Sequence, residues 1–369
     1  MKTIWNILRY WAFIIPALLA VLLLLVLPHC PEFTETVFAR GVFRLIAVPL
    51  GGLIAVLHFS LTEILAVLAL PAFILLLVIL IRRLIRSSSR GRVLLKAGRA
   101  AGWVLSVVFL LYMLLHGLNF YRLPVSDLMD LEPVTPSATQ LRDICVDLAE
   151  KASAEREALT EDEDGCVRLS QSVTKTLRLA DSGYRNLQGK YTFLFGGTWR
   201  AKPVQLSHWW SYTGITGMYF PMLAEANVNI DVPDSSIPAT AAHELAHTRG
   251  FAREDECNFL AYLTCIHSDS ADFRYSGLLM AYIYCSNTLY DYDKDLWGET
   301  REACSDGVKR DLGERNRYWE TFEGKVQEIS NNVNNSFLTA QGQEKGVLSY
   351  DEVVSLIVSY YVQEGLVYY

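Results

Sequence analysis

The stretch Ala241-Ala242-His243-Glu244-Leu245-Ala246-His247-Thr248-Arg249-Gly250-Phe251-Ala252-Arg253-Glu254-Asp255-Glu256 sets the reading of the whole chain. Pro238, just upstream, is favourable in a first helical turn. A helix starting there places His243 and His247 one turn apart on one face, where both imidazoles reach a single zinc ion. Glu244 is turned about 100° from His243, beside the metal but not on it. From there a carboxylate can take a proton from zinc-bound water and pass it to a leaving amine. The competing reading is an amphipathic surface helix with two incidental histidines.

A catalytic zinc takes three protein ligands and keeps one open position, so a third ligand is expected close by. Gly250 ends the first helix and a second opens at Arg253. Counting from Glu254, the residues at +3, +4 and +7 are Cys257, Asn258 and Ala261, small enough for close helix packing, with Asn258 able to hydrogen-bond a ligating imidazole. Glu256 shares its face with the bulkier Phe259, Leu260 and Leu263. Glu254 is therefore preferred as third ligand, with Glu256 as the alternative. The acidic run also complements a helix N-terminus in any case.

Working outward, the chain has 369 residues, 51% of them hydrophobic, and a positive mean hydropathy of +0.20. That is too apolar for an ordinary soluble domain. Residues 1–120 carry 11 basic and 3 acidic side chains, and 121–369 carry 22 and 37, so a basic front adjoins an acidic remainder. The acidic part offers no stripe for phosphates, which excludes nucleic acid as an expected partner.

Three apolar runs, about residues 5–27, 61–81 and 103–120, are long enough to be membrane spans. The first has no small-x-small site after it and reads as a retained anchor. Ser60-Leu61-Thr62-Glu63 has capping-box spacing ahead of the second. The third holds His116, read as packed or interfacial. Between spans two and three stand Arg82, Arg83, Arg86, Arg90, Arg92, Lys96 and Arg99, which the positive-inside rule keeps in the cytoplasm. The expected topology is multi-pass in the plasma membrane, with the N-terminus cytoplasmic and everything after Arg122 extracytoplasmic. Residues 42–59, with Arg44, Pro49 and Gly51-Gly52, read as an interfacial or re-entrant segment. The parts are thus a membrane domain, 1–122, a linker, 123–136, and an extracytoplasmic domain, 137–369.

In that last part, residues 139–159 show helical periodicity, 191–220 have strand-and-turn composition, and the chain from Ile237 onward is mostly helical. Ala224 to Ile230 reads as a short strand whose Glu225, Ala226 and Asn227 could pair with a substrate backbone, or as an ordinary core strand. Tyr212, Tyr219, His208 and Tyr350 are candidates for stabilising an oxyanion. The extracytoplasmic cysteines could bridge, or remain buried thiols.

Glu254-x-x-Cys257-Asn258 followed by Ala261 resembles the Glu-x-x-Ala-Asp pattern of gluzincin membrane metallopeptidases of the prenyl-protein-protease and heat-shock-protease kind, in which the first Glu binds zinc. Here Asn replaces Asp, and only six residues separate His247 from Glu254. Gly250 is similar to the metzincin turn, but Arg253 stands where that motif has His. Over most of its length the chain is similar to an uncharacterised bacterial family of three-pass membrane proteins with a zincin-like domain. The quoted stretches are Gly214 to Pro221, Glu225 to Asn227, His243 to Ala261, Asn334 to Leu338, Gln341 to Gln343 and Gly346 to Tyr350. The resemblance implies an α-helical membrane region of three spans plus an α+β zincin-like extracytoplasmic domain, mostly helical. The expected function is zinc-dependent hydrolysis of an extracytoplasmic protein or peptide substrate. The alternative is a non-catalytic zinc-stabilised sensor or assembly module.

Overall fold

The computed structural model describes residues 10–340 and 350–366. The first residues of the expected first span, and the stretches Gln341 to Gln343 and Gly346 to Ser349, lie outside the described residues. Among the described residues, four helices are long and apolar enough to cross a membrane: α1 (Ala12–His29), α2 (Pro31–Ala55), α3 (Leu61–Arg86) and α4 (Arg90–Leu115). Helix α1 packs on α4, where Gly102 leaves room for the Phe13 ring, and α3 also packs on α4.

Two boundaries differ from the sequence reading. Most of the segment expected over 42–59, as far as Ala55, is part of one continuous helix from Pro31, because Pro49 is carried inside it and the bare face of Gly51 accepts the Trp199 indole, which any Cβ would overlap. Helix α4 starts well before Trp103 because Arg and Lys are good helix formers, so its basic first turns continue into the apolar run. It stops at Leu115, and Gly117–Tyr121 forms a tighter 3-10 turn.

Helix α2 lies against the rest of the protein along its whole length. Near its start, Glu35 receives two hydrogen bonds from Arg122, at 2.7 and 2.9 Å, and Arg122 also donates to the Gly250 carbonyl at 2.9 Å. Further on, Phe43 covers Gly250, and at the far end Lys202 Nζ donates to the Ile54 carbonyl at 2.9 Å. The opposite face exposes Phe33, Val37, Leu45, Leu53 and Val56.

After Arg122 the chain does not enter a free linker. Val125 is buried and its N–H donates to Glu256 at 3.0 Å, and a single buried core runs from Phe43, Met113 and Leu118 into Leu148, Leu245 and Leu260. Helix α5 (Ala138–Arg156) opens on a Ser137–Gln140 capping box and packs on α8 (Ala271–Tyr292). A two-residue ladder, Thr160–Glu161 with Val167–Arg168, follows α5.

Among the described residues, the larger sheet has three strands, β1 (Ala201–Val204), β2 (Gly217–Phe220) and β3 (Glu225–Asn229), in the order β1-β3-β2. Strand β3 is parallel to β1 and antiparallel to β2, with Gly217 opposite Val228. It is therefore central, fully buried and paired on both sides. This corrects the expectation that Glu225, Ala226 and Asn227 pair with a substrate: their backbone edges are already used, and the outer edge belongs to β2. The side chains instead hold the start of α3. Glu225 accepts from the backbone N–H of Leu61 (3.1 Å) and Thr62 (2.7 Å) and from the Thr62 hydroxyl (2.6 Å), and Ser60 donates to Asn227 (2.6 Å). Ser60 also caps Glu63 N, while the Glu63 carboxylate accepts from Gln205 N and Leu206 N. Two carboxylates thus complement the positive end of the α3 dipole and lock it to the sheet.

Helix α6 (Ile237–Thr248) stacks on the sheet, and α7 (Glu254–Ile266) packs on α6; both also pack on α8. The remainder is α9 (Lys294–Ala303), α10 (Asp306–Glu320), α11 (Lys325–Ala340) and α12 (Tyr350–Gln363). No described cysteine is bridged, and only Cys30 is exposed.

Candidate metal centre

Helix α6 has Pro238 in its first turn, as expected, and the imidazoles of His243 and His247 lie 5.0 Å apart between ring centroids. The helix closes on Gly250 with φ +80°, a backbone conformation that favours glycine. Gly250 N donates to His247 O (3.0 Å) and Phe251 N to Ala246 O (3.3 Å), the paired bonds of a Schellman turn. The same turn brings the Phe251 carbonyl to 2.8 Å from His247 Nδ1. His247 Nε2 is thereby left to face α7.

Glu254, the first residue of α7, meets both histidines: its carboxylate oxygens lie 3.2 Å from His243 Nε2 and 3.7 Å from His247 Nε2. The ligand atoms of His243, His247 and Glu254 fall within 4.8 Å of one another, the one such three-residue group among the described residues. One turn along α7, Asn258 Oδ1 is 2.8 Å from His243 Nδ1. Glu256 is elsewhere: Val125 N and Arg253, at 3.0 and 2.7 Å, hold it against the segment leaving α4. Cys257 lies behind His247, its Sγ 3.4 Å from Nδ1 rather than Nε2.

Glu244 is buried, and its Oε2 has no hydrogen-bond partner. The other oxygen lies against Gly217 of β2, where even a methyl group would collide with the carboxylate. Burial pushes Glu244 up to about 8, with the neighbouring His243 charge opposing and Glu254 adding to the rise. Burial also lowers His247, to about 4, against the pull of Glu254. For His243 burial is outweighed by Glu254, which raises it to about 9. Glu254 itself, despite burial, is held at about 2 by the His243 hydrogen bond and the charge of His247. Two imidazoles and a carboxylate converge here, with a second carboxylate beside them whose Oε2 has no partner, a donor set of the kind that can hold a metal ion.

These groups line a cleft of about 730 Å³ between β2, α6, α7, α8 and α11. One wall was not anticipated from the sequence. Tyr112, in the last turn of α4, and His116, immediately after it, face the cleft. The His116 ring lies 5.8 Å from those of His247 and Tyr219. The available signal was an ionisable residue at the end of an apolar span, which by default marks function. Of the oxyanion candidates, Tyr219 lines the cleft, stacks on His247 at 5.9 Å and donates its hydroxyl to Leu115 O. His208 pairs with Asp231 and, with Tyr212, packs on Phe322, so neither reaches the site. Tyr350 opens α12, and its side chain is outside the description.

Residues 38–358 match a family model described as "Protein of unknown function (DUF3810)". No curated protein and no solved structure matches the chain.

Proposed function

We propose, for a chain that belongs to the DUF3810 family of unknown function, that it is a membrane-anchored zinc metallopeptidase cleaving an extracytoplasmic protein or peptide. The observation that carries this reading is the meeting of His243, His247 and Glu254 next to a buried Glu244 with a free oxygen. His243, His247 and Glu254 would hold the ion, leaving an open position. Zinc bound there would polarise a carbonyl and lower the pKa of a water toward ~7. Glu244, poised near neutrality, accepts a proton and returns it to the departing amine. The outer edge of β2 borders the cleft and offers its backbone to an extended chain.

A closed structural site, as in a zinc-stabilised sensor or assembly module, needs a fourth protein ligand. Among the described residues no further His, Cys, Asp or Glu joins the three, which favours the catalytic reading.

The same reading has α1, α3 and α4 crossing the plasma membrane while α2 lies on its outer surface. The arginine-rich connection from Arg82 to Arg99 supports a cytoplasmic turn between α3 and α4. The contacts of α2 with Arg122, Gly250 and Lys202 at both ends and its middle, with an apolar face left open, support an interfacial helix rather than a fourth span. X-ray absorption of zinc-loaded protein tests the site. Nitrogen and oxygen ligands without sulfur, with zinc lost on His243→Ala or His247→Ala, are expected; a sulfur ligand would overturn the assignment.

A further inference from the structure

Resting on the metallopeptidase reading, we infer that the substrates are membrane-tethered polypeptides, cut within roughly ten residues (~33 Å of extended chain) of the point where they leave the bilayer.

The first ground is that the cleft wall is part of a membrane helix. Tyr112 and His116 belong to the end of α4, and His116 is in ring contact with the proposed ligand His247. From Arg99, the last basic residue on the inner side, α4 rises to His116 over about 17 residues, or ~25 Å at 1.5 Å per residue. A hydrocarbon core is ~30 Å thick. His116 therefore stands no farther out than the outer edge of that core, and the metal site is one side chain beyond it.

The second ground is independent of α4. The outer end of α3, at Ser60 to Glu63, is hydrogen-bonded to Glu225, Asn227, Gln205 and Leu206. This fixes the sheet, and with it the β2 edge, at the level where a second span leaves the membrane. Large apolar side chains are exposed around this level, among polar neighbours such as Gln205 and His208: Met218 on β2, Leu206 next to Glu63, and Trp209, which is 67% exposed. Such side chains are ordinary at a membrane interface and costly in open water.

A cleft at that height meets any chain emerging from the same bilayer, and confinement to the surface raises its effective concentration to the millimolar range. A folded soluble protein gains no such advantage and must approach past the headgroups.

The test compares two forms of one probe, a random-sequence peptide pool presented to the full-length protein in phosphatidylethanolamine and phosphatidylglycerol vesicles. In one form the pool is fused to a polyleucine helix of about 20 residues; in the other it is free, at matched total concentration. New termini are read by mass spectrometry for the wild type and Glu244→Gln. Expected are termini that depend on Glu244, appear at least about tenfold faster in the anchored pool, and cluster within roughly ten residues of the helix. Equal or faster cutting of the free pool, still dependent on Glu244, overturns the inference and leaves the peptidase reading standing. No Glu244-dependent termini in either pool overturns both.

Discussion

Asn258 Oδ1 lies 2.8 Å from His243 Nδ1, one helical turn beyond Glu254 on the same face of α7. The contact orients the ring and fixes its proton on Nδ1, leaving Nε2 for a metal. Replacing Asn258 by Ala is expected to weaken zinc binding by about 10–100-fold, measured by competition with a chromophoric chelator, while Asn258→Asp preserves it. Unchanged affinity in Asn258→Ala would show that His243 is not a ligand through Nε2.

Gly217 lets the β2 backbone lie directly against Glu244. A methyl group there must displace the carboxylate, and a displacement on the order of 1 Å costs roughly a hundredfold in rate. Gly217→Ala should therefore lose about two orders of magnitude in turnover with its zinc content intact. Full activity would argue that Glu244 is not held in place by β2.

Arg122 and Glu35 form a buried ion pair that joins α2 to the turn after α6. Arg122→Met removes one of the two arginine partners of Glu35, with Arg40 still bonded at 2.7 Å, and leaves the Gly250 carbonyl without its donor, at a cost of about 1–3 kcal/mol. Thermal unfolding in detergent should show a marked loss of stability, partly recovered by adding Glu35→Gln. An unchanged transition would mean that α2 is not anchored through this pair.

The proton on His243 sets the pH response. Its pKa is raised to about 9, so the metal-free site is protonated at neutrality and zinc must displace that proton. Calorimetry in buffers of different ionisation enthalpy should register proton release on zinc binding at pH 7, with affinity rising toward pH 9. A raised pKa also stabilises the metal-free fold below the unfolded value near 6.5, and this contribution is lost as pH rises through about 9. Zinc uptake without proton release would contradict the pairing of His243 with Glu254.

The clustering of His243, His247 and Glu254 was legible because its spacing is local. His243 and His247, and Glu254 and Asn258, are each one turn apart, and Gly250 marks the turn between the two helices. Glu254 could be preferred to Glu256 because small residues follow on its face, and the structure turns Glu256 toward Val125 instead. What depended on distant pairing was not legible. Whether residues 225–229 form an edge or a central strand is decided by Ala201–Val204, whose partnership with them leaves no local trace. Tyr112 and His116 reach the cleft only because α4 ends beside α6. Residues 42–59 read as an interfacial or re-entrant segment because Arg44, Pro49 and Gly51-Gly52 interrupt the apolar run, whereas in the structure Gly51 is a seat for Trp199. Likewise Glu225 and Asn227 pair with residues far earlier in the chain and anchor α3.

The central claim is that Glu244 moves the proton in a hydrolysis that His243, His247 and Glu254 support through zinc. Its most direct test is to count zinc and new peptide termini together, for wild-type and Glu244→Gln protein incubated with membrane and cell-surface extracts. One zinc per chain is predicted in both, with new termini from the wild type alone. Loss of zinc in Glu244→Gln, or termini produced equally by both proteins, would contradict it.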